Sequence, residues 1–210
     1  MLPSIDRLII EFDSALRTAA GTARESARPS PANDEAEPDL TPEERDRSAR
    51  LMRVNYCGEV CAQALYSAQA ITSRSPRVAA TMREAAREEN DHLAWCESRI
   101  SELDSHVSYL NPLWYATSFA IGLFTGSLGD RVNLGFVAAT EEEVCNHLDD
   151  HLKRLPNNDA RSRKILEQMR IDEAKHATTA FQAGGARFPT PVKKVMQTVS
   201  RFMTESTYWI

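Results

Sequence analysis

Residues 78–103 read VAATMREAAREENDHLAWCESRISEL, and Val78, Met82, Ala85, Glu89, His92, Cys96, Ile100 and Leu103 recur three and four apart, lining one face of a helix. Two members of that seam, Glu89 and His92, are ionisable, and a dry core rejects a charge that has no partner. Residues 166–183, LEQMRIDEAKHATTAFQA, repeat the pattern as Leu166, Met169, Glu173, His176, Ala180 and Ala183. A third seam runs Leu134, Ala138, Glu141, Cys145, Leu148, Leu152, Leu155, with a lone Glu in the stripe. The first is less clean: Leu51, Val54, Gly58, Cys61 and Leu65 line up, and Glu59 lies beside them. Glu59 precedes Glu89 by 30 residues and Glu141 precedes Glu173 by 32, so the chain holds two helical hairpins of one design, each Glu followed by Glu-x-x-His.

Moving one carboxylate into a helical core costs several kcal/mol, and four together repel, so without metal they protonate or the bundle loosens. Two multivalent cations remove the conflict. Carboxylate oxygens and imidazole nitrogens suit iron or manganese. One Glu from each of two helices plus Glu-x-x-His from each of two others is the recipe of a dinuclear site in a ferritin-like four-helix bundle. The expected metal set is Glu59, Glu89, His92, Glu141, Glu173 and His176. A Glu and His three apart also occur as a surface pair, but two copies on core seams, each with an upstream helical Glu, weigh against that.

Working outward, Thr41, Pro42 and Glu44 form a helix start with a capping box, and the first core helix is expected to run to about Thr72. Ser75 and Pro76 open the second, reaching about Leu103, and the short break predicts an antiparallel hairpin. The third is expected from about Arg131 to Leu155, and the fourth from near Asp159 to Gly184 and Gly185. Ile5, Leu8, Ile9, Phe12 and Leu16 predict an amphipathic helix over 1–18. Residues 19–40, rich in Ala, Pro, Ser, Asp and Glu, predict a flexible linker. A short helix is expected after Pro189 and Pro191. No stretch alternates as a strand does, so the fold class is all-α, with residues 41–210 as the bundle domain.

Residues 107–129 form the connection between the hairpins and carry no charge. Leu113, Trp114, Phe119, Leu123 and Phe124 make it apolar, while Asn111, Pro112, Thr117, Ser118 and three glycines dilute it below a transmembrane helix. It predicts a hydrophobic crossover that either dips into a membrane surface or stays buried in protein.

With 210 residues, 42% hydrophobic and 26% charged, one full-sized core is expected. A net charge of -5 with scattered Lys and Arg excludes a nucleic-acid footprint. Asp6, Glu11 and Asp13 near the start argue against a signal or transit peptide, so the expected location is the cytoplasmic side of a bacterial cell membrane, peripherally attached. Cys57, Cys61, Cys96 and Cys145 lack zinc or disulfide-framework spacing and are read as reduced thiols. His147 and Asp172 are candidates for bonding a metal ligand from outside, with solvated helix polarity as the alternative. His106 and His151 are expected at the surface. Tyr56 and Tyr66 flank Glu59 and are read chiefly as packing.

Four stretches, Leu51–Ala64 (LMRVNYCGEVCAQA), Glu88–Cys96 (EENDHLAWC), Leu110–Tyr115 (LNPLWY) and Met169–His176 (MRIDEAKH), resemble the demethoxyubiquinone hydroxylases, ferritin-like di-iron enzymes of ubiquinone biosynthesis. The resemblance runs from about Asp6 to the C-terminus. It implies two iron ions on the six residues above, with Glu89 and Glu173 bridging, and O2-dependent hydroxylation of a polyprenyl demethoxyubiquinol ring. It also implies membrane attachment, with Leu113, Trp114, Phe119, Leu123 and Phe124 as a mouth for the prenyl tail, and leaves room for partner proteins of the same biosynthesis. Asn55-Tyr56-Cys57-Gly58-Glu59 departs from the family's common Asn-His-Ala-Gly-Glu, next to an intact ligand. The alternatives are a ferritin-like oxidase or peroxidase acting on a soluble substrate, and a metal-free membrane-associated interaction bundle.

Overall fold

The computed structural model describes residues 26–210, and the expected helix over 1–18 and the start of the linker lie outside them. The described residues form α1 (Pro42–Thr72), α2 (Pro76–Glu102), α3 (Asn111–Ser127), α4 (Asp130–Arg154), α5 (Ala160–Gln182) and α6 (Thr190–Trp209). No strand occurs among them. α1 with α2 and α4 with α5 are the two hairpins, α3 crosses over α1 between them, and α6 lies across α1 and α4.

Local chemistry sets the ends. Thr41 accepts from the Glu44 amide while the Glu44 carboxylate accepts from the Thr41 amide, closing the capping box expected there. The Asp130 carboxylate at the start of α4 accepts from the amides of Arg74 and Ser75, at 2.9 and 2.8 Å, pinning the first hairpin turn to the second hairpin. Asp159 caps α5 through the Ser162 amide and also holds the guanidinium of fully buried Arg99 from α2.

α1 explains why its seam was hard to read. Packed by α2, α3 and α6, it buries residues on nearly every side, so no single apolar stripe marks its inner face. α3 approaches it closely at Gly122, where a Cβ would stand 2.8 Å from the Ala68 Cβ.

Two expectations are corrected. From residue 26 the linker is attached to the bundle: Ala32 is buried, Glu37 pairs with Arg99, and Arg28 pairs with Asp91 and Asp172. Its low apolar content concealed this because ion pairs do the anchoring. The last helix is 20 residues long, with Val192, Val195, Val199 and Phe202 exposed. Pro191 falls in its first turn, where a missing amide proton costs nothing.

Candidate metal centre

The six expected residues converge at mid-bundle. Glu59 comes from α1, Glu89 and His92 from α2, Glu141 from α4, Glu173 and His176 from α5, and all six are buried. Glu89 presents Oε2 to His92 Nδ1 at 2.9 Å and Oε1 to His176 Nδ1 at 3.3 Å. Glu173 mirrors it, with Oε1 3.0 Å from His92 Nδ1 and Oε2 3.1 Å from His176 Nδ1. Each of these two carboxylates thus faces both histidines. Glu59 stands on the His92 side, its Oε2 3.5 Å from Nδ1. Glu141 accepts from the Tyr66 hydroxyl, and Tyr66 meets His176 edge to face.

Both Glu89 oxygens, His92 Nδ1, Glu141 Oε2 and Glu173 Oε1 are buried without hydrogen-bonding geometry to any protein atom, despite the short distances. Atoms this close that aim past one another point at a shared centre. Donor atoms of Glu59, Glu89, His92 and Glu173 lie within 4.8 Å of one another, as a metal ion requires. An oxygen-rich set with one imidazole on each side fits two iron-like cations.

Electrostatics points the same way. Burial first, then repulsion from Glu89 and Glu173, drives the Glu59 and Glu141 carboxyls well above the carboxylate range. Burial opposes ionisation of Glu89 too, but His92 and His176 hold its carboxyl low. Desolvation disfavours both imidazolium ions, yet Glu89 and Glu173 hold His176 up at about 12, and Glu89, Asp172 and Glu173 keep His92 well above its usual value. Left to itself the cluster neutralises with its own protons, a role that two bound cations take over.

Each histidine spends its other nitrogen on an outer carboxylate. His92 Nε2 lies 3.0 Å from Asp172 and His176 Nε2 lies 2.8 Å from Glu88. With a cation at the centre, that pairing would keep the proton on Nε2 and leave the Nδ1 lone pair for the ion. The arrangement is reciprocal: the acid before Glu173 serves the histidine that follows Glu89, and the acid before Glu89 serves the histidine that follows Glu173. Asp172 was a candidate for this role beside solvated helix polarity, and Glu88 was missed, although it occupies the corresponding place in its motif.

Other expectations change. His147 reaches no metal-set residue; it bonds the Ser200 hydroxyl on α6 at 2.9 Å. His151 is buried, its Nδ1 2.8 Å from Asn55 Oδ1, because the turn of α4 that carries it faces α1. His106 is exposed, as expected. Tyr66 belongs to the site, two turns beyond Glu59 on one helix face. All four cysteines are free.

A cavity of about 290 Å³ is bounded by α1, α3, α4 and α6, two of which, α1 and α4, also frame the metal centre. None of the six metal-set residues lines it, but Gly58 and Thr140, the sequence neighbours of Glu59 and Glu141, are in its wall with Ala62, Trp114, Val195 and Met203. Trp114 is buried against this cavity, and Phe119 stacks on Tyr115 and packs on the core. Leu113, Leu123 and Phe124 are exposed on α3.

Four antiparallel helices around two Glu-x-x-His motifs and two further glutamates define a ferritin-like carboxylate–histidine bundle. Residues 46–207 match the family model described as "Ubiquinone biosynthesis protein COQ7", and the chain belongs to that family. It is 58% identical to the 3-demethoxyubiquinol 3-hydroxylase of Ectopseudomonas mendocina over 98% of this chain and 96% of that protein. It is likewise 58% identical to the enzyme of that name from Azotobacter vinelandii over 98% and 95%, and 54% to that of Pseudomonas aeruginosa over 98% and 96%.

Proposed function

We propose that this chain is a di-iron monooxygenase that hydroxylates the ring of a polyprenyl demethoxyubiquinol with O2. The observation that carries it is the pair of carboxylates, Glu89 and Glu173, each turned to both histidines, with Glu59 and Glu141 at the two ends. Two irons bound there would supply the electrons and open coordination positions that reduce O2. The names of the relatives at 53–58% identity supply the substrate class.

The chain's own residues do the rest. Apolar side chains of the cavity, among them Leu65, Ile121, Phe136 and Met196, receive the quinol and exclude water. Trp114 packs in the cavity wall, its Nε1–H buried without an acceptor in the protein. Tyr66 keeps a proton on its hydroxyl, donated to Glu141, since burial and the surrounding carboxylates raise its pKa.

Two helices that bound the cavity expose apolar side chains, Leu113, Leu123 and Phe124 on α3 and Val192, Val195, Val199 and Phe202 on α6, and Leu128 just past α3 is exposed as well. That rim suits a peripheral site on the cytoplasmic face of a bacterial membrane, where the prenyl tail stays in lipid. No helix among the described residues is long and apolar enough to cross a membrane. Incubating the iron-loaded protein with a short-chain demethoxyubiquinol, a reductant and isotopically labelled O2 should yield a quinol carrying one labelled oxygen. Unlabelled or unchanged quinol would refute the proposal.

A further inference from the structure

Arg28 lies outside the bundle helices, yet it reaches the outer face of the His92 side. Its Nε donates to Asp91 at 2.6 Å and its Nη1 to Asp172 Oδ2 at 2.9 Å, the same oxygen that faces His92 Nε2. Its guanidinium also sits 4.8 Å over the Trp95 ring, and Trp95 packs against His92 with ring centroids 5.4 Å apart. Ser26 and the Ala27 amide add bonds to Asp91, and Trp95 Nε1–H donates to Ser26 and the Arg28 carbonyl. One side chain therefore fastens both of His92's outer neighbours and ties α2 to α5. Among the described residues the His176 side has no counterpart: Glu88 is part-exposed, and its cationic neighbour Lys175 stands 3.8 Å away with its side chain 67% exposed.

We infer that Arg28 is a positioning residue that fixes Asp172, and through it the orientation of His92, so that the two ends of the metal centre are held with unequal rigidity. The inference rests on the metal-site reading above. A planar guanidinium bridges two carboxylates where a lysine ammonium, a single point charge, serves one at a time. Loss of an outer partner typically weakens metal binding 10- to 100-fold.

The test is titration of the metal-free full chain with Co(II), followed by calorimetry and by the ligand-field absorption of the bound ion. The wild type should take up two ions. Asp172→Asn, which alters His92's direct partner, should weaken one step by about 10- to 100-fold, and Arg28→Ala should weaken that same step by up to about tenfold and change that ion's spectrum, leaving the other step unchanged, with Arg28→Lys between Arg28→Ala and the wild type. Glu88→Gln should weaken the opposite step. Thermal melting of each metal-free variant separates these effects from a general loss of stability. If Arg28→Ala binds both ions as the wild type does, or loses both steps equally while melting lower, Arg28 is at most structural and the inference is overturned. If Arg28→Ala does not fold, Arg28→Lys with two wild-type steps overturns it equally. A well-folded wild type that takes up no cobalt would instead overturn the metal-site reading, and this inference with it.

Discussion

Gly58 sits in the interior of α1, one residue before Glu59 and in the wall of the cavity, and a Cβ built on it meets no heavy atom within 4 Å. A glycine inside a helix costs about 0.8–1.0 kcal/mol relative to alanine. With no clash to offset the gain, Gly58→Ala should stabilise the fold by roughly that amount and raise Tm by about 2–4 °C in a chain of this size. Leucine is nearly as good a helix former, so Gly58→Leu should melt no lower than the wild type while its side chain extends into the 290 Å³ space. One methylene in a fitted apolar pocket is worth about 1–3 kcal/mol, so kcat/KM for the demethoxyquinol should fall by about 10- to 200-fold. Calorimetric melting and quinol turnover on the three proteins check both halves. A Gly58→Leu protein with wild-type stability and wild-type kcat/KM would show that the substrate does not use this cavity. A lower Tm for Gly58→Ala would show that the space beside Gly58 is not open.

Leu113 and Phe124 are 58% and 65% exposed, so the double variant Leu113→Asp/Phe124→Asp should keep its Tm but bind phospholipid vesicles roughly a hundredfold more weakly, each side chain forfeiting about 1.5 kcal/mol or more of burial in lipid; unchanged co-sedimentation would refute the membrane rim. His151 carries a pH prediction with a definite sign. Burial first, then Arg154, holds it down at about 3, against about 6.5 when unfolded, so below pH 6.5 the unfolded chain binds a proton that the folded chain refuses. Stability should therefore drop as pH falls from about 6.5 toward 3, by at most about 1.4 kcal/mol per pH unit from this group, and denaturant midpoints should show a shallower acid slope in His151→Gln.

The bundle and its centre were legible because burial and ionisability conflict openly in a repeating seam. Glu89, His92, Glu173 and His176 interrupt apolar stripes in a repeated spacing that announces them, while Glu141 is chosen over Glu142 and Glu143 by its seam together with the family resemblance. Glu59 was harder because α1 is packed on nearly all sides and offers no contrast between an inner and an outer face. Arg28 was invisible for a different reason. Its partners lie 63 and 144 residues away, and a segment anchored by ion pairs leaves no periodic trace. His147 and Trp114 show the limit of proximity in sequence: His147 follows Glu141 by six residues yet turns to α6, and Trp114, expected at a lipid mouth, is turned into the cavity.

Anaerobic Fe(II) titration of the metal-free protein, followed by Mössbauer spectroscopy and repeated on Glu173→Ala, tests the central claim most directly. Two irons per chain, spin-coupled after oxidation in the wild type and uncoupled or lost in the variant, is the result that a Glu89- and Glu173-bridged centre predicts. A well-folded wild type that binds no iron, or binds one ion indifferent to Glu173, would contradict it.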